Sequence, residues 1–182
     1  MIIYEKLSDE KKVEFEMFAH YGFAVILSQK FEKAIAALLQ GEFALANKGK
    51  LPVENYLEEV TKLYKGNLGG LLKKLRTHMT IPADKEELLQ KALNRRNYLI
   101  HDYFYHNESK ATVTDGRMSI IQELVADQVL FADAIIWVDS LCQEGLRKIG
   151  VSAEQFAETA ERNRQYEVAK FRKGEPVEML TK

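Results

Sequence analysis

Arg95-Arg96-Asn97-Tyr98-Leu99-Ile100-His101-Asp102-Tyr103-Phe104-Tyr105-His106 is the stretch that organises this chain. Between Arg96 and Tyr103 it sets a permanent cation, an amide, an imidazole and a phenol into eight residues. Upstream, Leu88, Leu89, Ala92 and Leu93 recur at the spacing of one buried helical face, so the polar cluster sits near the end of an amphipathic helix. Asp84, followed three residues later by Glu87, predicts a capping-box start for it. The helix is expected to fade near Phe104 to His106, before the polar run Asn107-Glu108-Ser109-Lys110.

The same helical period extends in both directions. Ser8 and Asp9 can cap a long helix from about Asp9 to Ala46, whose apolar positions include Val13, Met17, Phe31, Ile35 and Leu39. Pro52 opens a second helix carrying Tyr56, Leu57, Val60 and Leu63, and Gly66-Asn67 ends it. Leu68, Leu71, Leu72 and Leu75 mark a third, closed off by Pro82. On the other side, Ala111-Thr112-Val113-Thr114 is β-prone and Asp115-Gly116 is a turn signal, which predicts a small hairpin or ordered loop. A long helix follows from about Met118 to Lys148 and ends at Gly150. Ser152-Ala153-Glu154-Gln155 reads as a capping box, with Val151 and Phe156 in hydrophobic-staple positions, starting a last, mostly polar helix to about Arg172. The expected fold class is all-α, an up-and-down helical bundle with an extra C-terminal helix. It forms one domain over residues 1–174, with 175–182 as a flexible tail.

Composition agrees with that class. With 182 residues, 46% hydrophobic and 29% charged, the chain can bury a core without staples, and three prolines and ten glycines are little punctuation for an all-β fold. A single cysteine, Cys142, excludes an intramolecular disulfide framework. Without an apolar run of about 18 residues or a signal-peptide start, the expectation is an intracellular, cytoplasmic protein with no membrane partner. In that setting Asn107-Glu108-Ser109 is a polar loop and not a glycosylation site. A net charge of -1 argues against a protein that coats nucleic acid through a general field. The average conceals an asymmetry, since residues 62 to 101 hold nine Lys or Arg against three acids. Lys73, Lys74, Arg76 and Arg95 are read from it as an RNA-facing surface beside Arg96, the alternative being ordinary solvated helix faces.

At about 100° per residue, His101 lies about 140° around the helix from Arg96, so one straight helix does not aim both at one substrate. Either the helix end unwinds or a second copy contributes across a two-fold axis, and the spacing therefore predicts a homodimer. These residue types suit phosphoryl transfer at RNA. An imidazole, ordinarily titrating near 6.5, can take a proton from a 2′-hydroxyl or give one to a leaving 5′-oxygen, with no metal or cofactor called for. A guanidinium can hold a phosphate with two parallel donors and stabilise growing charge. Asn97 could orient His101 or the phosphate, and Tyr103 could do likewise.

Arg96-Asn97-Tyr98-Leu99-Ile100-His101 resembles the Arg-(polar)-x(3 to 5)-His signature of the HEPN superfamily, and His101-Asp102-Tyr103 extends it to the Arg-x4-His-x-Tyr form. That longer form is similar to the HEPN toxins paired with minimal nucleotidyltransferase antitoxins. The resemblance implies a dimeric helical bundle with metal-independent endoribonuclease activity, Arg96 and His101 of both copies forming the catalytic site. It also implies that the tyrosine matching Tyr103 is where an antitoxin attaches nucleotide and silences the toxin. The chain is longer than a minimal HEPN domain, and the superfamily includes members that bind or scaffold without cleaving.

Other readings compete. Arg96, Asn97 and His101 near a helix end can cap carbonyls and bridge helices. His101, Asp102 and His106 lack the i, i+4 histidine pair of a helical metal site. His20, His78, Trp137 and Cys142 read as structural, and the aromatic run Tyr98, Tyr103, Phe104, Tyr105 as core or dimer seam in preference to a base-stacking surface.

Overall fold

The computed structural model describes residues 4–47, 50, 52–148 and 150–172, and among them every regular element is a helix. After a 3-10 turn at Tyr4–Lys6 come α1 (Asp9–Ala46), α2 (Val53–Lys65), α3 (Leu68–His78), α4 (Ala83–His101), α5 (Tyr103–Ala111), α6 (Thr114–Lys148) and α7 (Ala153–Arg172). The all-α expectation holds, and α1 has the bounds that its caps and apolar period predict. The chain divides into two compact units, one from Met1–Ile35 with Asn67–Trp137, the other from Ala36–Gly66 with Val138–Lys182. The tail read over 175–182 lies outside the described residues.

The first unit carries the polar stretch. Its core is built from Met17, Ala24, Phe31 and Ile35 of α1, four leucines of α3, Leu89, Ala92 and Leu99 of α4, Tyr103 of α5, and Ile120, Leu124, Phe131 and Ala134 of α6. Local chemistry sets the boundaries. Asn67 caps α3, its side-chain oxygen accepting from the Gly70 backbone N–H at 2.8 Å. Pro82, with φ -57 typical of its ring, precedes the first residue of α4. Asp84 consequently falls inside the first turn of α4, where it favours the positive end of the helix dipole, and it is not the capping residue the sequence suggested.

Two expectations fail at the α4–α5–α6 corners. The helix carrying the polar stretch does not fade beyond Phe104; it breaks at Asp102 (φ -127, ψ -10), and α5 restarts at once. Nor is there a hairpin at 111–116. Thr112 and Val113 form a tight turn, and Asp115-Gly116 lies in the first turn of α6. The glycine serves proximity here, because a Cβ on Gly116 would stand 2.1 Å from the Lys110 carbonyl oxygen. Arg117, buried beside it, donates through Nε to the Ala111 carbonyl at 2.7 Å and through Nη1 to Glu10 at 3.2 Å, so one side chain closes the end of α5 and ties it to α1.

In the second unit, Ala36, Leu38 and Leu39 of α1, Val60 and Leu63 of α2, and Val138 of α6 are buried. At the end of α6, Gly150 has φ +81, and the N–H groups of Gly150 and Val151 reach the carbonyls of Arg147 and Leu146, the paired bonds of a left-handed helix cap. The Ser152 box forms as predicted, with Gln155 Oε1 accepting from the Ser152 N–H at 2.9 Å and Ser152 Oγ from the Gln155 N–H at 3.2 Å. The Phe156 side chain of the predicted staple lies outside the described residues. Cys142 is half-buried, and burial pushes its thiol up to about 11, which disfavours the reactive thiolate. No helix among the described residues is long and apolar enough to cross a membrane.

Candidate functional site

Arg95 and Arg96 are consecutive, so helical rotation sends them to different neighbours. Arg95 turns to α6. Its Nε and Nη2 donate to the two carboxylate oxygens of Asp127 at 2.7 and 2.6 Å, and Nη2 also reaches Glu123 at 2.8 Å. The same guanidinium lies over the Tyr98 ring, 4.8 Å from its centroid. Burial disfavours its charge, but the two carboxylates outweigh that and hold its pKa above the usual arginine value. Burial pushes the Asp127 carboxyl up, and the Arg95 fork opposes it. Read from sequence as an RNA-facing cation, Arg95 is thus committed to a part-buried ion-pair cluster with α6.

Arg96 turns to α1, where Nη2 donates to Glu32 at 3.0 Å and the two side chains are 21% and 16% exposed. Nη1 donates to Asn97 Oδ1 at 3.3 Å. A guanidinium carries five N–H bonds, so these two contacts leave donors for a ligand. Asn97, Ile100 and His101 are exposed, and His101 is the last residue of α4. No hydrogen bond joins Asn97 to His101 among the described residues. The structure therefore brings Arg96 and Asn97 together and sets His101 on the solvent side of the same helix end, five residues further along.

Tyr103 goes inward. It is 1% exposed, its ring packs with Tyr21, Tyr98 and Phe104, and its buried hydroxyl has no hydrogen-bond partner. Burial first, then the carboxylates of Glu123 and Asp127, raise its pKa well above the ordinary phenol value. Buried Asn107 secures this wall, its amide donating to the Tyr98 hydroxyl at 3.0 Å and the Tyr103 carbonyl at 2.9 Å. On α1, the Tyr21 hydroxyl donates to the Leu99 carbonyl at 3.0 Å and so takes up one of the free carbonyls at the end of α4.

The other predicted cations separate. Lys73 and Lys74 are exposed on α3 without an ion-pair partner among the described residues, whereas Arg76 is held by Glu86 and, at 3.2 Å, by Gln90. Arg76, His78, Thr80 and Glu86 line a cleft of about 480 Å³ at the α3–α4 connection. His20 is structural, its Nδ1 and carbonyl both meeting the Gln128 amide. Among the described residues no three His, Cys, Asp or Glu side chains converge as metal ligands.

Sequence reasoning missed Glu32 and Asp127, and it read Asn107, which is buried within α5, as part of a polar loop. A signal existed for one of them: Asp127 occupies the apolar register of α6 between Leu124 and Phe131, and an acid there calls for a cation across the interface. Set against family models, curated proteins and solved structures, the chain matches none of them.

Proposed function

We propose that the chain is a metal-independent endoribonuclease of the HEPN type, acting as a homodimer in which each α4 end meets its two-fold equivalent. The observation that carries the reading is the pairing of an exposed imidazole, His101, with a guanidinium, Arg96, that is anchored by Glu32 and keeps donors free. Since the two lie about 140° apart on one helix, a second copy supplies the complementary group. Exposed Ile100, between them on the helix surface, gives such a contact an apolar centre.

The reaction is in-line transfer within RNA. A 2′-oxygen attacks the adjacent phosphorus while its proton passes to one imidazole. The bond from phosphorus to the 5′-oxygen breaks, and the second copy's imidazole returns a proton to that leaving oxygen. The products are a 2′,3′-cyclic phosphate and a 5′-hydroxyl. Arg96 holds the non-bridging oxygens as their charge grows, Asn97 fixes its guanidinium, and Lys73 and Lys74 draw in the RNA backbone. Such an enzyme would serve as a toxin or in RNA processing or defence. Control by a nucleotidyltransferase antitoxin at Tyr103 would require α5 to move, because that hydroxyl is buried.

A second reading, a non-catalytic helical module that binds nucleotide, RNA or a protein partner, is favoured by one observation. Two of the four cations read as RNA-facing, Arg76 and Arg95, are neutralised by acids. Incubating labelled RNA with the protein in EDTA separates the two. The enzyme reading expects cyclic phosphate ends and a loss of roughly 100-fold or more in His101→Ala and Arg96→Ala. Wild type that is inert across varied RNAs and pH, or variants that cleave equally well, would remove it.

A further inference from the structure

Two rings, four and five residues past His101, have no role in that mechanism. Tyr103 and Asn107, four residues apart, form the inner face of α5, and Tyr105 falls about 200° around the helix from Tyr103. Tyr105 is 80% exposed, so burial in the chain does not account for a large aromatic at this position. His106 next to it is also exposed. Their rings meet edge to face, with centroids 5.3 Å apart at 73°. His106 in turn lies nearly parallel to Tyr98, at 5.9 Å and 14°.

The inner end of this row is fixed. The Tyr98 ring lies against the Arg95 guanidinium that Asp127 and Glu123 hold, and its hydroxyl accepts from buried Asn107. His106 is seated further by its backbone N–H, which donates to the Asp102 carbonyl at 3.1 Å across the α4–α5 break. The row therefore runs from the Arg95 ion pairs out to open π surface, and its outer ring, Tyr105, is four residues from His101 in the chain. Such surface takes up flat, unpaired rings; a base within a duplex has its faces covered already.

We infer that Tyr105 and His106 form a stacking subsite for an unpaired base of single-stranded RNA at the α4–α5 corner. The choice of RNA as ligand rests on the ribonuclease reading, while the subsite rests on the ring geometry. It makes single-stranded RNA the substrate class and places one nucleotide's base beside the end of α4 that carries His101.

The test uses the full chain and a 2′-O-methyl oligoribonucleotide bearing 2-aminopurine, which lacks the nucleophile and cannot be cleaved by 2′-oxygen attack. Wild type should bind the single strand, quench 2-aminopurine by stacking, and bind the matching duplex far less well. Tyr105→Ala and His106→Ala should weaken single-strand binding by roughly 5- to 100-fold and lose the quenching, while Tyr105→Phe keeps both. Exposure of both rings makes folded variants the expectation, checked by circular dichroism. The subsite is overturned if wild type does not bind the single strand or if both alanine variants bind as wild type does. It is overturned too if Tyr105→Ala loses binding only together with a shift to a smaller species in sedimentation, which would make the tyrosine an assembly contact. Binding through Tyr105 by a protein that leaves unmodified RNA intact would keep the subsite and discard catalysis. Cleavage with unchanged binding by the alanine variants would do the reverse.

Discussion

Arg95 and Arg96 are neighbours in the chain and similarly exposed, at 26% and 21%, and they differ in what holds them. The first is held by two acids of α6 and a tyrosine ring, with the Asp127 side chain only 6% exposed. The second makes one ion pair and one amide contact and sits beside exposed Asn97. A salt bridge whose partners are removed from water fixes helices in place, and breaking it strands a charge. A guanidinium held at one edge is positioned and still available. The same residue type therefore does structural service at 95 and chemical service at 96, and one residue of helical rotation decides which.

Substitutions of the partner acids probe this contrast most strongly. Asp127→Ala should cost about 3 to 5 kcal/mol in urea unfolding, because it leaves Arg95 partly buried beside Glu123 alone. Asn107→Ala removes the amide that locks Tyr98 above Arg95, and about 1 to 3 kcal/mol should be lost in the same measurement. Glu32→Ala should cost less than Asp127→Ala, about 1 to 3 kcal/mol, because it breaks a single charged hydrogen bond and not a two-pronged one, and RNA cleavage should slow as the guanidinium loses its anchor. Equal unfolding costs for Asp127→Ala and Glu32→Ala would break the comparison.

Tyr103→Phe should cost nothing. The hydroxyl is buried with no partner to lose, so removing it relieves a desolvation penalty and should raise stability at neutral pH by up to about 1 to 3 kcal/mol. Alkaline pH should separate the two proteins further. With the folded pKa raised above the unfolded value of about 10, the unfolded chain ionises first, so the wild-type contribution is intact below that pH and fades as pH rises toward the folded value. The phenylalanine variant lacks this loss, and melts at pH 8 and above pH 10 would show it.

The long helical spans were legible in the sequence because they depend on local signals. The three- and four-residue period of α1, the Ser152–Gln155 box and the Gly150 stop each act within a turn or two of chain. The break at Asp102 and the Gly116 corner were not, since both are set by what packs against them. Asp-Gly reads as a turn until the Lys110 carbonyl is known to lie where a Cβ would be. The polar stretch was located correctly as a helix end, but the division of labour within it depends on Glu32 and Asp127. Those acids are 64 and 32 residues away from the arginines they hold. Tyr103 shows the same limit, its direction being fixed by Tyr21 and Phe104 packing and not by its place in a motif.

The most direct test measures metal-free RNA cleavage and the urea midpoint together for wild type, Arg96→Ala, His101→Ala and Arg95→Ala. The account predicts that Arg96→Ala and His101→Ala lose cleavage by roughly 100-fold or more, that His101→Ala unfolds close to wild type and Arg96→Ala no lower than Glu32→Ala, and that Arg95→Ala unfolds at markedly lower urea. Cleavage retained in Arg96→Ala and His101→Ala, or a collapse of their midpoints to that of Arg95→Ala, would contradict it.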